Sequence, residues 1–175
     1  MKRLSCLVVL LVVFAAACGS SDDPVADATS DVSEAIASGD EDAAVEAIDD
    51  LVDDLEEQQQ AVGGGSASFT IEGATFTFDS VLCAFGEEET GQEGAEFVLS
   101  AIQDGTQLYF SIDRFGHSVS LEDIEDFENP SVSWSSRGED FIEIDGRSAS
   151  GEAGFVDGTS DSFDELPGSF EGTCP

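Results

Sequence analysis

Three kinds of residue in this 175-residue chain could do chemistry: four cysteines, one histidine and 39 carboxylates. Nucleophilic catalysis by a serine needs an adjacent base, most often a histidine. The only histidine is His117, within Asp113-Arg114-Phe115-Gly116-His117-Ser118, a stretch that reads as a hairpin turn. No Gly-x-Ser-x-Gly elbow occurs in the chain. A histidine in a turn is expected to be solvated, and no catalytic residue is assigned. Paired carboxylates could hydrolyse a glycan by acid–base chemistry, but among 39 of them any two can meet by chance. The acidic runs 87–94 (EEETGQEG) and 126–130 (DFENP) offer oxygen ligands for calcium. Neither has the roughly twelve-residue spacing of a calcium loop. Both are expected to be solvated loops, with no metal and no cofactor.

The cysteines are more informative. Lys2 and Arg3 precede an apolar stretch from Leu4 to Phe14, then the small residues Ala15, Ala16 and Ala17. The run is shorter than the roughly 20 apolar residues of a spanning helix, so it reads as a signal peptide. Ala15-Ala16-Ala17-Cys18 resembles a bacterial lipobox, with alanine at Ala15 where leucine is commonest. The resemblance implies a diacylglyceryl thioether on Cys18, which becomes the mature N-terminus and is then acylated. It also implies attachment to the membrane through that lipid.

Cys6 leaves with the signal and Cys18 is consumed by lipid, which leaves Cys83 and Cys174 as an even pair in an oxidising compartment. A disulfide between them closes a loop of roughly 90 residues, worth about 4–5 kcal/mol in the chain-entropy model. A two-cysteine metal site is the rival reading, and His117 is the only histidine it could use.

Against 39 acidic residues stand five basic ones, for a formal charge of −34. Without Lys2 and Arg3 the balance is 39 to three, or −36, and no lysine remains. Such a surface excludes nucleic acid as a partner. It leaves room for divalent cations or a basic protein, and it suits a saline medium that screens repulsion. Arg114, Arg137 and Arg147 read as ion-pair partners of neighbouring carboxylates.

The elements behind these residues change character along the chain. Residues 1–17 form the signal peptide and 18–23 a lipidated tether. Residues 24–62 read as an acidic helical hairpin. Asp23 caps Pro24, the stripe Val25, Ala28, Val32 and Ile36 follows, Ser38-Gly39 breaks it, and Ala44, Ile48, Leu51 and Leu55 line a second helix. Glu46/Asp50, Asp49/Asp53 and Asp50/Asp54 are like-charge pairs at four-residue spacing, each mildly destabilising. Residues 63–66 (GGGS) read as a flexible linker.

Residues 67–175 alternate as strands do. Phe69 and Ile71 share a face, and Gly73 allows a turn. The run from Phe76 to Phe85 reads as the next strand, with Phe76, Phe78 and Leu82 on one face and Val81, Cys83 and Phe85 on the other. Asp104-Gly105 and Asp145-Gly146 signal hairpins. About eight strands are expected. The predicted fold class is mainly β, an antiparallel β-sandwich or open barrel preceded by the acidic helical hairpin. Twelve of the thirteen phenylalanines lie in this region and can fill its core.

The region from 67 to 175 is similar to the C-terminal domain of the mycobacterial 19-kDa lipoprotein antigen family. The shared elements are the lipobox cysteine, Ile71-Glu72-Gly73, Cys83, the Gly146–Gly154 strand and the closing Phe170-Glu171-Gly172-Thr173-Cys174. The acidic helices replace the Ser/Thr/Gly-rich tether usual in that family. The resemblance implies a non-enzymatic envelope antigen and carries no catalytic residues. The sequence therefore leads to a non-catalytic lipid-anchored lipoprotein displaying a small β domain at the cell surface or periplasm. The alternative is a binding module for divalent cations or a basic partner protein.

Overall fold

Alternation of small or apolar residues with Ser and Thr makes Ser66–Ile71 (β1) and Ala74–Phe78 (β2) a hairpin, with Ala67, Phe69, Ile71 and Phe78 turned inward and buried. The two-residue connection, Glu72-Gly73, takes positive φ at both positions (51° and 83°). That matches the twist of the flanking strands. The computed structural model describes Ser33, Ala37, and residues 41–126 and 129–175. The predicted signal peptide, Cys18, the tether and most of the first helix lie outside the described residues; Ser33 and Ala37 are helical.

The chain divides into two units between Leu55 and Glu56. The boundary falls inside one long helix, Glu41–Val62 (α1). Within the first unit Leu51 is buried against Ala47, Ile48 and Leu55, three of the predicted stripe residues or their neighbours.

The second unit is mainly β, as expected. After β2 come Leu82–Phe85 (β3), the short helix Gly86–Thr90 (α2), Phe97–Gln103 (β4) and Thr106–Asp113 (β5). Gly116–Asp123 (β6), Ser133–Gly138 (β7), Glu143–Asp145 (β8), Ser148–Asp157 (β9) and Glu165–Thr173 (β10) follow. All pairings are antiparallel, in the order β2-β1-β10-β9-β7-β6-β5-β4-β3, with β8 on β9. Asp104-Gly105 makes the β4–β5 turn, again with positive φ at both residues (51° and 68°).

The sheet curls into an open barrel. β3 and β10 are six steps apart in the order, about 29 Å if the sheet were flat. Yet Cys83 on β3 and Cys174 just after β10 are disulfide-bonded with Cα atoms 5.9 Å apart. Gly64 and Val81 exchange backbone hydrogen bonds (3.4 and 3.0 Å) at the same closure. The glycines read as a flexible linker are therefore stitched to the sheet, and Gly63 N–H also donates to the Gln59 carbonyl at 2.7 Å.

Phenylalanine fills the interior. Phe69 meets Phe155 edge-on with ring centres 4.8 Å apart, and Phe110 meets Phe170 at 4.9 Å. These rings need small residues opposite. A Cβ on Gly168 would lie 2.8 Å from Phe155, and one on Gly172 would lie 2.5 Å from Leu99. Large and small inward residues thus alternate along β10, as a narrow barrel requires.

The run from Phe76 to Phe85 is two strands rather than one. Phe78 and Val81 are both fully buried although three residues apart, so the alternation changes phase at Asp79-Ser80. The chain crosses there from one sheet edge (β2) to the other (β3), and Leu82 ends on the outside.

Candidate functional site

The outward positions of β2, β1, β10 and β9 form an ordered polar face. Register places Thr77, Ser68, Glu171 and Ser150 in one row, and Thr75, Thr70, Ser169 and Glu152 in the next. Ser68 Oγ donates to Glu171 at 3.3 Å, and the hydroxyls of Thr70 and Thr75 are 3.0 Å apart. Two shallow grooves of about 370 and 610 Å³ lie on this face, the first floored by Gly151 and Phe170 between Ser150 and Glu171. Such a surface can accept and donate hydrogen bonds and attract cations. Sequence reading missed it as a face, although the spacing Ser148-x-Ser150-x-Glu152 and Ser169-x-Glu171-x-Thr173 was visible.

His117 is not the solvated turn residue the sequence suggested. It is the second residue of β6, half-buried, paired with Ile112 on one side and Gly138 on the other. Its Nδ1 accepts hydrogen bonds from the backbone N–H groups of Phe141 (3.0 Å) and Ile142 (2.8 Å). Two donors converging on Nδ1 require that nitrogen to be unprotonated. The lone pair that a catalytic base would use instead holds the β7–β8 connection, and the ring packs on Phe141 with centres 5.6 Å apart.

The acidic runs serve their own loops. Glu87 accepts from Gly94 N–H (2.6 Å) and Glu89 from Phe85 N–H (2.8 Å), which ties α2 to β3. Near the second run, Asp123 gathers the N–H groups of Glu125, Asp126 and Ser131 and the Ser131 hydroxyl at 2.7–3.1 Å. Partial burial opposes ionisation of Asp123, but the bonds from Ser131, Asp126 and Glu125 outweigh it and hold the carboxyl below its usual value. Burial, helped by the nearby Asp113 charge, raises the Tyr109 phenol.

The expected ion-pair role of the arginines gives way to ring stacking in two cases. Arg114 lies over Phe115 at 4.6 Å and Arg147 over Phe85 at 5.8 Å. Among the described residues no three His, Cys, Asp or Glu side chains converge as metal ligands, and no helix is long and apolar enough to cross a membrane.

One buried polar residue escaped the sequence reading altogether. Gln59, 1% exposed, donates through Nε2 to the carbonyls of Ser80 (2.9 Å) and Ile102 (3.1 Å) and accepts from Ile102 N–H (3.0 Å). Its amide continues the ladder on β4 beyond the end of β3, as a piece of strand would. Nothing distinguishes it in sequence from its neighbours Gln58 and Gln60.

No protein-family model matches the chain, and no curated protein or solved structure matches it either.

Proposed function

We propose that this protein is a lipid-anchored envelope lipoprotein that displays its β unit outside the cytoplasmic membrane and catalyses no reaction. The observation that carries the reading is Ala15-Ala16-Ala17-Cys18 behind Lys2, Arg3 and a short apolar run. In this reading the signal is removed ahead of Cys18 and the thiol takes up a diacylglyceryl group. Several acyl chains together anchor a protein stably, at about 0.8 kcal/mol per buried methylene. The Cys83–Cys174 bond supports the reading, because disulfides persist in oxidising compartments.

Expression in a bacterial host with labelled palmitate tests it. The protein is expected to take up label and partition into detergent, and Cys18→Ser is expected to abolish both. An unlabelled mature chain that begins at another residue overturns the proposal. A second reading, a module for a basic partner protein or divalent cations, is favoured by the ratio of 39 acidic to three basic residues after Ala17. Calorimetric titration with calcium at high salt separates its cation form, which predicts saturable heat, from simple display.

A further inference from the structure

Among the described residues, nothing pairs with the outer side of β2, the terminal strand of the sheet. The opposite edge is different: beside β3, Val81 is bonded to Gly64 and Cys83 to Cys174, and α2 follows directly. Proteins usually blunt a free edge with a charge, a proline or a bulge. β2 has none of these over Ala-Thr-Phe-Thr-Phe, in a chain where a quarter of all residues are charged.

The hairpin register defines what this edge offers. A two-residue turn makes Ile71 and Ala74 the closing hydrogen-bonded pair, so Phe76 and Phe78 also bond to β1. Thr75 and Thr77 then direct their N–H and C=O groups away from β1, into solvent. The contact between the Thr70 and Thr75 hydroxyls at 3.0 Å fits a non-hydrogen-bonded pair, where side chains stand closest. The free stretch stops at Asp79, whose N–H is taken by Gln103 Oε1 at 3.2 Å. Phe76, half-buried against Phe69 (6.4 Å between ring centres), leaves an apolar edge on the inner side. Exposed carboxylates, Glu72 and Asp79, stand at the two ends.

We propose that β2 is a docking edge for an extended basic segment of another protein, added to the sheet as an extra strand. The segment opposes Thr75 and Thr77 with polar residues and Phe76 with an apolar one, and places Lys or Arg beside Glu72 and Asp79. Main-chain hydrogen bonds to Thr75 and Thr77 supply the attachment, and the terminal charges select the partner. A second copy of this chain is the weaker occupant, since antiparallel pairing of two β2 strands brings Glu72 of each close to Asp79 of the other. The inference names where the basic partner of the second reading docks, and it does not depend on lipid anchoring.

The test uses the whole chain, a labelled peptide of alternating Thr and Val with Arg at both ends, and fluorescence anisotropy. Binding is expected in dilute buffer, with affinity falling at least tenfold, roughly, between ~0.1 and 1 M salt. Thr75→Pro removes a solvent-directed N–H, which an edge strand tolerates, together with the exposed hydroxyl contact to Thr70. It is expected to abolish binding while circular dichroism and the disulfide stay unchanged. Thr77→Pro is the second such variant, should Thr75→Pro disturb the hairpin. An Arg-flanked peptide of equal charge interrupted by proline is expected not to bind. If it binds as well as the first peptide, the edge is overturned and only the basic-partner reading survives. Absence of binding, or binding indifferent to both proline variants, overturns the proposal. So does self-association of the protein that strengthens with salt and is lost in Thr75→Pro, which assigns the edge to a second copy.

Discussion

In α1, nine acidic residues occupy 22 positions with no base among them, and several fall four apart on the helix. In the β unit, carboxylates such as Glu171 and Glu152 stand at outward positions of strands whose inward positions are Phe170, Phe155 and small residues. Both regions are acidic and carry few or no bases, but the consequence differs. Outward strand carboxylates are separated by Ser and Thr and are solvated, so their repulsion is weak, and cohesion comes from the opposite face. On the helix the like-charge spacing is set by the same period that builds the element, so repulsion and structure cannot be separated. The β unit should depend on its core and closure, and the helix on the medium.

The largest effect expected is on closure. Reduction of Cys83–Cys174, 91 residues apart in sequence, should cost about 4–5 kcal/mol. Thermal unfolding of the β signal should then drop by on the order of 15 °C. A melting temperature unmoved by reductant would mean that the sheet holds its curl through Gly64–Val81 and packing alone.

The core should rank next. Phe170 contacts Phe110, Phe141 and Phe155 and is almost fully buried. Phe170→Ala should cost about 3–5 kcal/mol. Ser150→Ala, on the outer face of the paired strand, should stay within about 0.5 kcal/mol. Equal costs for the two variants, read by denaturant midpoints, would erase the contrast between the faces.

These are also the parts that sequence reveals best. The hairpin at Asp104-Gly105, the alternation of β1 and the pairing of Cys83 with Cys174 follow from local signals, period two and cysteine arithmetic. What sequence hides has physical causes. A strand break without Gly or Pro, at Asp79-Ser80, shows only as a phase slip. The first half of β10 carries Pro167, which argues against a strand in sequence but is accommodated opposite Gly154. Glu87 and Glu89 read as solvated carboxylates because nothing local shows that the backbone N–H groups of Gly94 and Phe85 engage them. Gln59 and His117 acquire meaning only from N–H and C=O groups more than 20 residues away.

A smaller effect should appear at Asp123, a carboxylate that gathers four hydrogen bonds. Its folded carboxyl ionises more readily than the unfolded one. The stabilisation is therefore complete above the ordinary carboxylate range, about pH 4. It is lost as pH falls through the lowered folded value. Asp123→Asn should cost about 1 kcal/mol near neutrality. The gap between wild type and variant should close in strong acid. A gap that is constant from neutrality to acid would mean that the Ser131 bonds do not depend on the charge.

The smallest effect per interaction, and the one that probes the comparison most directly, concerns α1. Each like-charge pair such as Glu46/Asp50 or Asp49/Asp53 should cost about 0.2–0.5 kcal/mol in dilute buffer. No base stands in the last turn of α1 to complement the negative end of the helix dipole. The Debye length falls from about 10 Å at 0.1 M salt to about 3 Å at 1 M, shorter than the spacing between successive turns. Molar salt should therefore raise helicity of the segment up to Leu55 while leaving the β signal flat. Circular dichroism of the full chain, with Asp49→Ala and Asp53→Ala as charge-removing controls, reads both at once. If the alanine variants match wild type in dilute buffer, packing of Leu51 with Ala47, Ile48 and Leu55 governs the helix. The acidic spacing would then be as inert there as it is on the strands.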